Sequence, residues 1–207
     1  IRKVASTGKP VIISTGMATI VEIGEAVATA REAGCKDLIL LKCTSTYPAT
    51  PESSNVLTIP HMRELFDCEV GLSDHTMGIG ASIAAVAHGA TVIEKHFTLD
   101  RLDGGVDSAF SLEPHELELL TVETERAWQS MGRVIYGGVR DEEKSKIFKR
   151  SIYIVKDMVV GDVFTEENIR IIRPGNGLPP KDYDHIIGQS INCSAKKGTP
   201  VSWNILK

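Results

Sequence analysis

The chain has 207 residues, of which 42% are hydrophobic and 24% charged, and its formal net charge is -4. This is the composition of an ordinary globular protein, and its slightly acidic balance gives no reason to expect a nucleic-acid partner. No apolar run approaches the roughly 18 residues that a membrane span needs, and the 4 cysteines lack a Cys-x-x-Cys pair, which favours reduced cytosolic thiols over a disulfide framework or zinc cluster.

The first part of the chain begins with the tail of a helix and then alternates short apolar runs with helical patterns. Strands are predicted at 11–13, 37–41, 70–72 and 91–93, and helices at 20–33, 59–66, 79–88 and 114–131. Four strand–helix units are half of a (β/α)8 barrel, and a complete barrel takes on the order of 250 residues. We therefore expect an α/β chain that forms the C-terminal half of such a barrel, with the first four units upstream of residue 1. An open four-stranded sheet is the competing interpretation.

The pattern changes after the last predicted helix. Residues 136–149 combine two glycines with a run of charges and are predicted to be a linker. Short strands and turns follow, and the sequence at 161–169 is echoed at 198–205. We therefore expect three parts, namely a barrel half at 1–135, the linker, and a small, mostly β domain at 150–207 that can bury only a modest core.

Two histidines follow the third and fourth predicted strands. Parallel strands end at the same edge of a sheet, so His75 and His96 are expected to lie together at the edge where α/β folds place their chemistry. Alternation puts Ser73 on the face of His75 and Glu94 on the face of His96. Two imidazoles with oxygen ligands suit a borderline divalent ion such as Mn, Fe or Zn, whereas the simpler alternative is a structural hydrogen bond at each histidine.

The lysines next to these positions point elsewhere by the same alternation. Lys42 and Lys95 are expected on the helix side of the sheet, where solvation or ion pairing is the ordinary role of a lysine.

Five motifs carry a resemblance to a known family. They are STGM at 14–17, CTSTYP at 43–48, GLSDHT at 71–76, EKHFT at 94–98 and RPGNG at 173–177. The chain resembles the sialic acid synthases over essentially its whole length, and this implies a TIM barrel followed by an antifreeze-like (SAF) domain. It also implies condensation of phosphoenolpyruvate with an N-acetylated amino sugar and release of phosphate. The glycine-rich segment 102–114 is most similar to the pseudaminic acid branch, whose sugar is 2,4-diacetamido-2,4,6-trideoxy-altrose.

The resemblance also implies residue roles. His75 and His96 match the protein ligands of a divalent metal, Mn or Mg, which would activate the sugar aldehyde. Glu94 could orient the attacking water or make only a structural hydrogen bond. The substrate-binding positions are Ser14 and Ser73 for the phosphate or carboxylate of phosphoenolpyruvate, Ser45 where some members have asparagine, Tyr47 and Asp107 for the sugar, and Arg173.

Arg173 implies an assembly. It matches an arginine that the antifreeze-like domain sends into the barrel of the partner subunit, which implies a domain-swapped homodimer. The setting implied is a bacterial cytoplasmic pathway for surface glycans, and the 207-residue piece alone is expected to be inactive because part of the phosphate site would lie upstream.

Three other functions remain open. The chain could belong to an N-acetylneuraminate or legionaminate synthase. It could be a non-catalytic carbohydrate-binding protein, although such a protein would not need a histidine pair. A metal-dependent barrel aldolase acting on a phosphorylated sugar would be expected to carry more basic residues in its loops.

Overall fold

A computed structural model describes residues 1–207, which divide into two compact units, Ile1–Arg133 and Val134–Lys207. The helices and strands of the first unit are α1 (Arg2–Ala5), β1 (Val11–Ser14), α2 (Ile20–Glu32), β2 (Leu38–Cys43), α3 (Thr58–Phe66), β3 (Glu69–Asp74), α4 (Gly80–Ala87), β4 (Ile93–Lys95) and α5 (Pro114–Met131). None of the helices of the chain combines the length and apolar character that crossing a membrane requires.

The four strands of the first unit form one parallel sheet in the order β1-β2-β3-β4. Right-handed connections between strands that follow chain order place their helices on one face of the sheet. In agreement, α2, α3 and α4 share a single core with the strands, to which Val27, Ile59, Leu40, Val70 and Leu72 belong. Helix α5 packs against α4.

Alternation gives the sheet two chemically different faces. Along β2, Leu38 and Leu40 lie in the helix-side core, whereas Cys43 belongs to the opposite face. Along β3, Gly71 and Ser73 lie on that opposite face. The predicted elements are present, but the strand expected at 91–93 lies at Ile93–Lys95. Its polar residues belong to the strand because they pair with the end of β3.

The second unit is built from β5 (Ser151–Ile154), β6 (Ile169–Ile172), the short helix α6 (Tyr183–Ile186) and many turns. The two strands are antiparallel, and isolated bridges connect the remaining segments. Its core contains Ile152, Phe164, Ile186 and Val201, all fully buried. Within the segment that we predicted to be a linker, Arg140–Phe148 forms a 3-10 helix.

Replacing Gly71 by alanine is predicted to destabilise the first unit. A Cβ atom at this position would lie 2.2 Å from the carbonyl oxygen of Val92 and 2.7 Å from a methyl carbon of Leu41. That carbonyl accepts a hydrogen bond from Leu72, so relief of the clash disturbs the β3–β4 ladder. We expect a loss of about 3 kcal/mol in the free energy of unfolding, the upper end of what overpacking costs.

Denaturant unfolding measures this loss, and Gly80→Ala is the matched control. A Cβ on Gly80 meets nothing within 4 Å in the first turn of α4, so that variant should be unchanged or slightly more stable. Equal stability of the two variants would contradict the close approach at Gly71.

Candidate active site

His75 follows β3 directly and is buried. Its Nδ1 lies 2.9 Å from the carbonyl oxygen of Thr44. A carbonyl oxygen only accepts, so Nδ1 carries the hydrogen, and in the neutral ring Nε2 keeps its lone pair. A histidine oriented in this way by a backbone carbonyl is prepared to bind a metal or accept a proton through Nε2.

His96 occupies the equivalent position after β4. Its ring centroid lies 5.1 Å from that of His75, and the two ring planes meet at 78°. An Asp107 carboxylate oxygen lies 3.7 Å from Nδ1 of His96, which is close enough to attract an imidazolium but long for a hydrogen bond. The two histidines therefore lie together at one edge of the sheet, as side-chain alternation predicts, and the Asp107 carboxylate lies beside His96.

Two returning loops complete the surroundings of the histidines. The backbone N–H of Ala49 donates to the carbonyl oxygen of His75 at 2.9 Å, and that of Leu112 donates to the carbonyl oxygen of His96 at 2.8 Å. Each contact belongs to a short parallel bridge, Ala49 with Thr76 and Phe97 with Leu112. These bridges extend the sheet pairing beyond the strands and hold both histidine backbones in place.

Aromatic rings lie beside both imidazoles. The ring of Tyr47 is 4.3 Å from that of His75 and 6.0 Å from that of His96, measured between centroids. The buried ring of Phe110 lies 5.0 Å from His96. The histidine pair therefore faces a surface that is partly apolar, with the half-exposed phenol of Tyr47 at its rim.

Ser73 and Glu94 form a second polar pair on the same face of the sheet. They are register partners in neighbouring strands, and the Ser73 hydroxyl donates to Oε1 of Glu94 at 2.7 Å. Ser73 is buried whereas Glu94 is exposed. The hydrogen bond holds one carboxylate oxygen in place and leaves Oε2 without a partner from the protein.

A buried ion pair lies at the next register step, on the helix side of the sheet. Nζ of Lys95 is 3.1 Å from Oδ2 of Asp74, and the side chains are 4% and 1% exposed. The Asp74 carboxylate also accepts from the Ser82 hydroxyl at 2.6 Å and from the Thr76 N–H at 2.8 Å, while Lys95 donates to the Thr76 carbonyl. The ion pairing expected of Lys95 is therefore observed, in the residues that precede the two histidines.

The other predicted site residues are Ser14, Ser45 and Arg173. Ser14 ends β1 and Ser45 follows β2, and a Cβ on Gly16 would lie 3.1 Å from the Ser45 hydroxyl. These residues share the carboxyl edge of the sheet with the histidines but form no hydrogen bond to them. Arg173 is an exposed residue of the second unit.

Two residues of the site were not predicted. Thr44 contributes its carbonyl oxygen, and Phe110 contributes its ring. Their only signal in the sequence is position, since Thr44 comes directly after β2 and Phe110 ends the glycine-rich loop.

A further cluster of ligand atoms occurs at the start of α5. Glu113, His115 and Glu116 each place one ligand atom within 4.8 Å of the others. Arg101 pairs with both carboxylates, and the Glu113 N–H donates to Glu116. Burial favours the neutral form of Glu116, but the backbone hydrogen bond and Arg101 outweigh it and lower its pKa. The cluster is explained as a helix cap that anchors the 101–113 loop.

Comparison with known proteins gives matches over both units. The sequence pattern of the NeuB family matches residues 1–136, and that of the SAF domain matches residues 149–207. A pseudaminic acid synthase of Campylobacter jejuni is 40% identical over 198 residues, covering 96% of this chain and 58% of that protein. An N,N'-diacetyllegionaminic acid synthase of the same species is 40% identical over 192 residues, covering 91% of this chain and 58% of that protein.

A solved structure is also similar. The N-acetylneuraminic acid synthetase of Leptospira borgpetersenii, in complex with citrate, matches with a TM-score of 0.64 and 36% sequence identity, covering 70% of this chain and 50% of that chain. The present chain thus spans 58% of the length of either Campylobacter relative.

Replacement of Lys95 by methionine is predicted to cost about 3–5 kcal/mol of unfolding free energy, because it leaves the Asp74 charge buried and unpaired. The control is Arg126→Met, since Arg126 pairs with Glu123 at an exposed position, with 69% of the arginine side chain exposed. That exposed pair should contribute less than about 1 kcal/mol. Equal losses in chemical denaturation would show that the Asp74–Lys95 pair does not hold the strand ends.

Proposed function

Because the chain belongs to the NeuB family, we propose that it forms part of a synthase that condenses phosphoenolpyruvate with an N-acetylated amino sugar. The most similar branch on its motifs is pseudaminic acid synthase, with 2,4-diacetamido-2,4,6-trideoxy-altrose as the sugar. Identity of 40% over 96% of the chain to a protein of that name supports this assignment. The similar identity to a legionaminic acid synthase makes that sugar acid the alternative product.

The fold proposed for the whole protein is a (β/α)8 barrel followed by an SAF domain. The sheet order β1-β2-β3-β4 without reversal, and the single core shared by α2, α3 and α4, are the features of a barrel half. Residues 1–135 would supply that half, 136–149 the connection, and 150–207 the SAF domain. A cytoplasmic location would follow from the use of phosphoenolpyruvate.

The donor set at His75 and His96 fits a divalent metal. The hydrogen bond from Nδ1 of His75 to Thr44 leaves Nε2 available, and the second imidazole lies 5.1 Å away between centroids. Two imidazole nitrogens, completed by oxygen ligands from water or substrate, suit Mn better than Mg. An ion held there supplies Lewis acidity toward the aldehyde of the open-chain sugar. The two neighbouring imidazoles, of which that of His75 is oriented by a backbone carbonyl, are the observation that carries the proposed function.

The protein's own groups would act at defined stages of the condensation. The methylene carbon of phosphoenolpyruvate attacks the aldehyde carbon, and the aldehyde oxygen takes up a proton to become a hydroxyl. Water adds to the former enol carbon and loses one proton. The C–O bond to phosphate then breaks, and the hydroxyl left on that carbon loses its proton to give the ketone. Glu94, whose Oε2 has no hydrogen-bond partner in this chain, could orient the water and accept its proton. Tyr47 and Asp107 lie beside the histidines, where they could bind the amino sugar, Asp107 through the sugar hydroxyls.

Three serines are proposed to bind phosphoenolpyruvate, but their hydroxyls are not equally available for it. Ser14 and Ser45 are exposed at the carboxyl edge of the sheet and can donate to its phosphate or carboxylate oxygens. Ser73 already donates its hydrogen to Glu94. A hydroxyl has one hydrogen, so Ser73 can bind a phosphate oxygen only by releasing Glu94. Substrate binding at Ser73 would therefore free the carboxylate for its part in the reaction.

Arg173 is proposed to reach the sugar bound in the barrel of a partner subunit. It is exposed, and its loop is fastened within the second unit. The Ser151 hydroxyl donates to the Pro174 carbonyl at 2.7 Å and accepts from the Gly177 N–H at 2.9 Å. An exposed cation on a fixed loop suits contact with another subunit, which supports a domain-swapped homodimer.

The first test offers phosphoenolpyruvate, Mn and two sugars to the full-length protein. We expect phosphate release with 2,4-diacetamido-2,4,6-trideoxy-altrose and none with N-acetylmannosamine. His75→Ala should abolish release because one metal ligand is lost, whereas His88→Ala, an exposed residue at the end of α4, should leave it unchanged. Turnover of N-acetylmannosamine alone would move the assignment to the neuraminate branch, and release with neither sugar by folded, Mn-loaded protein would reject both.

The second test asks whether Arg173 acts across subunits. His75→Ala and Arg173→Ala homodimers are each expected to be inactive. After dissociation and mixing, a heterodimer would contain one site with both residues intact, and about a quarter of wild-type activity should return if the arginine acts in the partner. No recovery in a mixture shown to contain heterodimers would place Arg173 in its own subunit's site or outside the site.

A further inference from the structure

We propose that Lys42, on the opposite face of the sheet from the histidines, is a positioning residue that fixes the orientation of His75 through Thr44. The proposal rests on the proposed function in so far as His75 is taken as a metal ligand. It assigns a role to a lysine that the reaction itself does not use.

The surroundings of Lys42 differ from those of an ordinary lysine on a helix-side surface. Its Nζ donates to the Cys43 carbonyl at 2.9 Å and to the Thr44 hydroxyl at 3.1 Å, and it forms no ion pair. The ion pairing expected as one alternative for Lys42 is therefore not observed, and its ammonium instead contacts the end of its own strand. Partial burial lowers the pKa of Lys42, so holding a cation here has a cost that its two hydrogen bonds must offset.

The pocket that Lys42 lines contains no acidic group. Lys42 lines a pocket of about 210 Å³ between α2 and α3 whose other lining residues are apolar or neutral-polar apart from His61, namely Thr15, Gly16, Ala18, Ile20, Ile23, Thr58, Met62, Leu65 and Phe66. With no carboxylate there, the acceptors at Cys43 and Thr44 are what hold the ammonium in one place.

Thr44 connects the two faces of the sheet. Its hydroxyl donates to the Ser53 carbonyl at 2.9 Å, so toward Lys42 it acts as acceptor. Its carbonyl oxygen accepts from the Thr46 N–H at 2.9 Å and from His75 Nδ1 at 2.9 Å. Both lone pairs of the carbonyl are then used, and Thr44 is held through its side chain and its main chain together.

The consequence for His75 concerns its tautomer. As long as the Thr44 carbonyl stays in place, the neutral ring keeps its hydrogen on Nδ1 and its lone pair on Nε2. Loss of the Lys42 ammonium removes two of the contacts that define the backbone at Cys43 and Thr44. The carbonyl can then move away, and the ring can populate the other tautomer, in which Nε2 carries the hydrogen and cannot bind a metal.

The test uses Lys42→Met, which keeps the apolar stem, and Thr44→Val, which keeps the carbonyl but removes the hydroxyl. Both changes are made singly and together in the full-length protein. Lys36→Met, at an exposed lysine, is the matched control, and Lys42→Arg tests rescue by another cation. Two quantities are measured in addition to thermal stability. The first is the dissociation constant for Mn²⁺. The second is the tautomer of His75, read from the imidazole ¹⁵N shifts of the metal-free protein.

We expect Lys42→Met to weaken Mn²⁺ binding about tenfold, the lower end of what loss of an outer-shell partner costs, and to raise the population of the Nε2–H tautomer. Lys42→Arg should restore part of both, and Lys36→Met should change neither. The double variant should be no worse than the more severe single variant, because both changes interrupt the same connection.

Three outcomes would overturn the proposal. They are an unchanged tautomer and Mn²⁺ affinity in Lys42→Met, additive losses in the double variant, and a fall in thermal stability alone. If Lys42→Met does not fold, Thr44→Val decides, since an unchanged tautomer there equally rejects the connection. Wild-type protein that binds Mn²⁺ no better than His75→Ala would count against the proposed function instead, and the tautomer of the metal-free protein would still test the role of Lys42.

Discussion

The pairing register of β3 with β4 is the constraint on which the site depends. Ser73 is opposite Glu94 and Asp74 is opposite Lys95, so His75 and His96 come next on adjacent strands. A slip of β4 by one residue against β3 would turn His96 to the helix side and leave His75 without its neighbour. The buried Asp74–Lys95 pair makes such a slip costly, because each charge would lose its partner in a nearly dry environment. The Asp74–Lys95 ion pair on the helix side of the sheet therefore stabilises the register that places the two histidines on the opposite face.

Around the two histidines, two loops supply further side chains and a backbone acceptor. The loop after β2 brings Tyr47 and the Thr44 carbonyl to His75, and the loop after β4 brings Asp107 and Phe110 to His96. Each loop is tied to a histidine carbonyl by a backbone hydrogen bond. The side chains proposed to contact the substrate thus lie on loops that the sheet positions, an arrangement common to enzymes built on parallel strands. In the proposed synthase, the strands would hold the metal while the loops select the sugar.

Local patterns in the sequence were sufficient for the strand–helix units, the edge that carries the histidines and the shared face of Ser73 with His75. Period-two alternation also assigned Lys95 to the helix side, where it pairs with Asp74. The Thr44 carbonyl could not be predicted in this way, because a backbone acceptor has no residue-type signal. Phe110 reaches His96 only through the bridge between Phe97 and Leu112, a contact between segments 15 residues apart that side-chain periodicity does not record. The hydrogen bonds of Lys42 likewise depend on how the chain turns after β2.

In the proposed site, His75 and His96 bind one divalent ion together, each through a ring nitrogen. Electron spin-echo spectroscopy of Mn²⁺ in full-length protein carrying ¹⁵N-labelled histidine measures this binding. We expect coupling to two imidazole nitrogens, reduced to one in either His75→Ala or His96→Ala when Mn²⁺ is supplied in excess. Bound Mn²⁺ without nitrogen coupling, or coupling that persists unchanged in both variants, would contradict it.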